Sequence, residues 1–390
     1  MAKRQKNQQM NKGKKRTRRV HYFDYSLLAV LVFLICFGLV MLYSTSSYSA
    51  LIEHKDSMYY FKRQIIFCIA GLGMMWFVSR INYHAYIKLA KPVYYLSIFL
   101  MLLVQTPLGK EANGARRWLR LPFGQQFQPA EIAKIAVILL IPMIIIQLNK
   151  EIKTWRGIGK VLAWGGFNAL CVYKLTENLS TAIIVLGITC IMIFVMHPKT
   201  APFVAIATAG LGAVFIGVQM LGKMVANSDN FRLQRIIVWL NPEQYASDEG
   251  YQTLQGLYAI GSGGFFGKGL GNSAQKMIIP EVQNDMILSV ICEELGVFGA
   301  IVVLVLFGML LYRLLFIAQN APDIYGSLIA TGIFAHIALQ VILNVAVVTN
   351  LIPNTGITLP FVSYGGTSIL FLMIEMGIAF GVSRTIKIDE

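Results

Sequence analysis

Charge is scarce in this chain, and acid is scarcer than base. Only 14% of its 390 residues are Asp, Glu, Lys or Arg, and 19 acids stand against 34 bases. Soluble globular domains carry about 25% charged residues, so that class is excluded. The five cysteines (Cys36, Cys68, Cys171, Cys190 and Cys292) are scattered through apolar runs without CxxC or zinc-ligand spacing. Packing, not redox or metal chemistry, is expected of them. The five histidines form no HExxH or similar pair, which argues against a histidine metal site. A phosphate loop is missing too. In the glycine run from Gly261 to Gly271, Ser262 stands where GxxxxGK[ST] needs its first glycine, and Gly269 follows Lys268. Close backbone packing or a hinge is expected there instead.

What the chain does have is apolar length. It is 56% hydrophobic. Candidate spans run from Tyr25 to Tyr43, Phe61 to Val78, Leu89 to Thr106, Ile132 to Gln147, Ile158 to Tyr173, Ala182 to Met196, Ala201 to Leu221, Met286 to Ile317, Ile324 to Val348 and Ser363 to Val382. The runs are continuous, longer than the alternating segments of about ten residues found in β-barrels. The expected fold is therefore all-α and polytopic, with about ten transmembrane helices.

Nine of the 34 basic residues lie in residues 1–23, with no acid before Asp24. That composition predicts a disordered cytoplasmic tail that marks topology and touches anionic lipid, not a nucleic-acid arm or a cleavable signal. With the tail inside, most Lys and Arg fall in inside loops, as an N-in, C-in chain requires. The expected organisation is this tail, a membrane domain over 24–384 with a large extracytoplasmic loop at 222–285, and a short cytoplasmic tail at 385–390. Positive charge outside the membrane gathers from Lys110 to Arg120 and from Lys223 to Lys276. An anionic ligand is one reason for it.

Three outside segments carry polar chemistry. In the first, Arg116, Arg117 and Arg120 flank Trp118, which suits an interfacial anchor or a cradle for a phosphorylated head group. Glu131 and Lys134 follow at i, i+3, where they can pair on one helix face. The second is the long loop. Leu254, Leu257, Tyr258 and Ile260 give part of it a mixed apolar face that suits an interfacial or re-entrant helix. The third, LIPNTGITLPFVSYGG (351–366), is broken by Pro353, Gly356, Pro360, Gly365 and Gly366, and broken backbone at a membrane edge lines a cavity. Glu375 lies deeper and needs a partner.

Asp285 opens an apolar run and is followed by Glu293 and Glu294. As one helix, Met286 to Ile317 would be about 48 Å long against a hydrocarbon core of about 30 Å. Counting back from Arg313 puts the two glutamates near the outer boundary and Asp285 at head-group level. A helix N-cap and a reacting carboxylate both fit Asp285 on chemistry alone.

Five motifs together resemble the SEDS family (shape, elongation, division and sporulation) of FtsW, RodA and SpoVE proteins. They are DYSLLAVLVFLICFGLVMLYSTS, ARRWLRLPFGQQFQPAEIAKIA, NPEQYASDEGYQTLQGLYAIGSGGFFGKGLGNSAQK, NDMILSVICEELG and LIPNTGITLPFVSYGGTS. The resemblance implies ten helices and a peptidoglycan glycosyltransferase of the bacterial plasma membrane. Its implied substrate is lipid II, the undecaprenyl-pyrophosphate-linked disaccharide-pentapeptide. Its implied partners are a class B penicillin-binding protein transpeptidase and divisome or elongasome proteins. It also implies Asp285 as the catalytic residue, and Glu131, Lys134, Ser363, Tyr364, Gly365 and Gly366, which fall on its motifs, as substrate-binding; Arg116 and Arg117 are candidate substrate-binding cations on their charge. A divalent cation (Mg or Mn) is a candidate cofactor, and no organic cofactor is expected. Two positions depart from the family: Glu177 stands where Pro is common, and Thr355 where division-type members often carry Lys. The MLYSTS and YYFKRQ segments look more like FtsW than RodA. A flippase for lipid-linked precursor is the competing class, and a non-enzymatic divisome scaffold is a third.

Overall fold

The computed structural model describes residues 19–112, 115–120, 126–224, 238–245 and 250–389. Eleven α-helices fill most of them: α1 Tyr25–His54, α2 Tyr59–Val78, α3 Ala85–Val104, α4 Pro129–Leu148, α5 Trp155–Leu175, α6 Leu179–Met196, α7 Ala201–Met224, α8 Tyr251–Gly263, α9 Ile287–Asn320, α10 Ile324–Val348 and α11 Ser368–Ser383. Every expected apolar run contains a helix, and α8 is the additional short one within the long loop. Seven of the helices are long and apolar enough to cross a membrane: α1 to α4, α6, α9 and α10. The boundaries shift where chemistry overrides hydropathy. The last helix starts at Ser368 instead of Ser363, because Gly365–Gly366 holds the backbone open.

The helices start where side chains can satisfy their orphan N–H groups. Asp24 caps α1 by accepting from the Leu27 N–H at 2.9 Å. Its carboxylate also binds Arg313 of α9 at 2.7 Å, tying the start of α1 to the later part of α9. Pro129 opens α4, where a missing N–H costs nothing. Helix α4 is the hub of the bundle. Its most apolar stretch is 78% buried within the protein, against 22–28% for α2, α3 and α9, which leave most of their surface for lipid.

Two small sheets complete the fold. Strand β1 (Arg19–His21) pairs antiparallel with β5 (Lys387–Asp389). The expectation of disorder does not extend to the last residues of the N-terminal tail. Residues 1–18 lie outside the described residues, but the end of the basic tail is an ordered strand, and so is the C-terminal segment. The pairing brings the two ends of the described chain together. Strands β2 (Gly109–Ala112), β3 (Ala115–Arg120) and β4 (Gln126–Phe127) form a second sheet on the opposite side of α4. The cysteine expectation holds only in part: Cys68 and Cys292 are buried, whereas Cys36 and Cys190 are exposed on the spans.

Helix α9 is not one rod. Gly296 sits at φ 70°, ψ −171°, a conformation open in practice only to glycine, and it breaks the helix. The loop 264–269 supplies the hydrogen bonds that the break removes. Lys268 N–H donates to the Glu293 carbonyl and Gly269 N–H to that of Glu294, both at 2.9 Å. In return, the Val297 and Phe298 N–H groups donate to the Gly264 and Phe265 carbonyls at 3.0 and 3.1 Å. The glycine run is thus a place of close backbone packing. A Cβ on Gly263, Gly267 or Gly296 would overlap main-chain atoms of the facing segment.

Candidate active site

Asp285 lies in the turn before α9. It does not cap that helix: the cap position is Met286, with no side-chain hydrogen bond. The residue is 9% exposed. Its Oδ2 lies beside Gly356, where an added Cβ would come within 3.8 Å of it. Gly356 has φ 67° in the broken 351–366 segment, so its turn favours glycine, while an added Cβ would meet the carboxylate only at ordinary contact distance.

Several elements converge on that segment. Ser180, at the start of α6, donates to the Thr355 carbonyl at 2.9 Å. Asn354 donates to Gln252 of α8 at 3.0 Å. The Tyr364 N–H donates to the Gln283 carbonyl at 2.9 Å, two residues before Asp285. Ser363 Oγ accepts from the Leu359 N–H at 2.9 Å, closing the turn that presents Tyr364. Tyr364 packs edge-on against Tyr60 of α2, with ring centroids 5.0 Å apart. Gly366 has φ 48°, and the following Thr367 hydroxyl donates to the Gln126 carbonyl of β4 at 3.0 Å. Ser363, Tyr364, Gly365 and Gly366 therefore join the Asp285 turn to the β2–β3–β4 sheet.

That sheet carries Arg116 and Arg117. Arg116 Nε lies 3.4 Å from Glu111 and is half exposed. Arg117 donates to the Glu177 carbonyl at 3.4 Å. Glu177 has φ 49°, a conformation that the ring of a proline excludes. At the head of α4, Lys134 and Glu131 form the expected i, i+3 pair at 3.0 Å, both buried. Each neutralises the other, which is how two charges are kept among apolar helices.

Glu293 and Glu294 are fully buried and act as anchors. Glu293 binds Lys268 at 2.7 Å and accepts from the Ser273 hydroxyl. Glu294 binds Lys276 at 3.1 Å and accepts from Ser44 of α1 at 2.6 Å. An anionic ligand was one reason offered for the outside positive charge, but Lys268 and Lys276 serve these glutamates. Arg232 and Arg235, in the same stretch, lie outside the described residues.

The sequence reading missed three residues of α10. Asn344 donates from Nδ2 to the Asp285 carbonyl at 2.8 Å and to the Ile357 carbonyl at 2.7 Å. Gln340 donates to the Thr358 carbonyl at 3.0 Å. His336 bridges Gln340 and Glu375, so Glu375 has the partner it needs. Polar residues at i, i+4 and i+8 in an apolar span were the available signal.

Among the described residues, no three His, Cys, Asp or Glu side chains gather as a metal site. A protein-built metal cage does not fit this donor set.

The profile of the cell cycle protein family of FtsW, RodA and SpoVE matches residues 25–388. Stage V sporulation protein E of Bacillus subtilis (strain 168) is 38% identical, over 93% of this chain and 97% of its own length. The probable peptidoglycan glycosyltransferase FtsW of Geobacter sp. (strain M18) is 36% identical, over 95% of this chain and 99% of its own. Among solved structures, a chain of a peptidoglycan synthase complex that coordinates polymerization and crosslinking matches with a TM-score of 0.73 and 25% identity. That match covers 93% of this chain and 98% of that one. Thermus thermophilus rod shape determining protein RodA matches with a TM-score of 0.63 at 25% identity, over 93% and 97%. Profile, relatives and fold agree over nearly the whole described chain, and the chain belongs to the FtsW/RodA/SpoVE family of multi-pass bacterial membrane proteins.

Proposed function

We propose that this chain is a peptidoglycan glycosyltransferase that polymerises lipid II at the outer leaflet, with Asp285 as its general base. The observation that carries the proposal is the Asp285 carboxylate. It is 9% exposed, sits in the turn before α9 and lies beside Gly356, in a broken segment to which α6, α8 and α10 all hydrogen-bond.

The reaction joins the 4-hydroxyl of a GlcNAc to the anomeric carbon of a lipid-linked MurNAc and expels the lipid diphosphate. The attacking hydroxyl must lose its proton, and one positioned carboxylate can take it. Negative charge builds on the departing diphosphate and needs cations nearby. Arg116 and Arg117 on β3 are assigned to it. Lys134, held by Glu131, shapes the same face while adding little net charge. Ser363, Tyr364, Gly365 and Gly366 fix the wall opposite. A divalent cation is assigned to the substrate, because Mg²⁺ is commonly held by one or two carboxylates plus phosphates, without a protein cage. A transpeptidase of the class B penicillin-binding type is the proposed partner, by analogy with the synthase complex. FtsW and SpoVE relatives favour a role in division or sporulation over elongation.

The test is purified Asp285→Asn supplied with lipid II and partner, with glycan polymer resolved on a gel. Loss of at least about a hundredfold in rate is expected, the scale of general-base catalysis. Undiminished polymer would remove Asp285 from the mechanism.

A further inference from the structure

The inner surface of α10 carries a stack of polar side chains that the reaction does not itself require. His336, Gln340 and Asn344 lie at i, i+4 and i+8, one above the other on one helix face. All three are at most 6% exposed. Their hydrogen bonds run in one direction. Gln340 spends its amide N–H on the Thr358 carbonyl, so its Oε1 must accept from His336 Nε2–H, 2.9 Å away. His336 Nδ1 then shares a single proton with Glu375 Oε2 at 2.6 Å. At the top, Asn344 uses both amide hydrogens, on the carbonyls of Asp285 and Ile357.

The stack ends on main-chain carbonyls of two segments only: the turn that carries Asp285, and the 357–358 stretch just after Gly356. Those are the two sides of the contact between Asp285 and Gly356. Polar groups are expensive in a membrane span, and helix packing alone does not call for three at this spacing. We infer that Asn344, Gln340 and His336, anchored by Glu375, are positioning residues that set the height and angle of the Asp285 carboxylate from beneath. The inference rests on Asp285 being the general base.

The experiment measures kcat and KM for lipid II polymerisation by the purified full chain with its partner. Asn344→Asp keeps side-chain shape but removes the donor, and Gln340→Met keeps volume but removes both bonds. Each should lower kcat at least tenfold and leave KM within twofold, while the protein stays monodisperse with its thermal transition retained. A kcat within twofold of the parent in either folded variant overturns the inference, and so does a loss confined to KM. Should Asn344→Asp fail to fold, Gln340→Met decides alone, since it lies one turn further from the site. Asp285→Asn is assayed alongside. If it keeps the parent rate, the general-base reading falls and takes this inference with it. If it is inactive while the stack variants run at full rate, only the positioning inference falls.

Discussion

Lys276 Nζ lies 3.1 Å from Glu294 Oε1, with Glu294 fully buried and Lys276 nearly so. The lysine belongs to the long segment between α7 and α9 and the glutamate to α9, so the pair fastens one to the other. Ser44 of α1 donates to the same carboxylate, making a three-way joint.

Removing one partner of such a pair leaves an uncompensated charge. Lys276→Met is expected to destabilise by about 3–5 kcal/mol. Replacing both, as Lys276→Met with Glu294→Leu, should recover most of the loss, because no buried charge is then left unpaired. Denaturant or thermal unfolding in detergent measures both. A double variant no better than the single one would refute this account of the joint.

Gly296→Ala should be the costliest glycine substitution in α9. Its backbone conformation alone carries about 1–3 kcal/mol for a residue with a side chain, and the methyl would overlap the Phe265 carbonyl. Gly308→Ala is the control. Nothing lies within 4 Å of its added Cβ, and alanine in a helix is favoured by roughly 0.5–1 kcal/mol. Opposite signs are expected, read as thermal shifts and as protease sensitivity of the 264–277 loop.

Asp323 caps α10, accepting from the Gly326 N–H at 2.9 Å, and it also binds the Tyr83 hydroxyl. Burial would push its carboxyl up. The Tyr83 hydroxyl, the Gly326 N–H and His84 outweigh that and hold it below the usual carboxylate range. The stabilisation is therefore fully present above the ordinary value of 3.8 and fades as pH falls through the lower folded value. Asp323→Ala should cost about 1 kcal/mol at neutral pH, the worth of a lost cap. The gap between parent and variant should close in acid. A gap that widens below pH 4 would contradict the assignment.

Much of this architecture could be read from the chain. Long apolar runs dictate helices, and the departures from apolarity flagged Asp285, the Glu131–Lys134 pair and the broken 351–366 segment. The rest was hidden for physical reasons. A lone glycine in a continuous apolar run gives no sign of a helix break, since the partner that makes Gly296 tolerable lies some thirty residues upstream at Phe265. Strand β3 was masked because its arginines dominate its pattern. Glu375 and His336 stand 39 positions apart, and neither suggests the other until α10 and α11 are packed. The start of α9 was also hidden: the backbone begins the helix two residues after Asp285, with Met286 at the cap position.

The splice between residues 264–269 and the break in α9 also bears on assembly. Synthesis proceeds from the N-terminus, so the glycine-rich segment exists before the helix whose open turn it closes. Helix α9 can complete its main-chain bonding only after that earlier segment has folded back against it. The splint precedes the limb it supports. The outer half of α9 is thus expected to be among the last parts of the chain to become ordered, and Asp285, at its head, takes its place only when the rest is built.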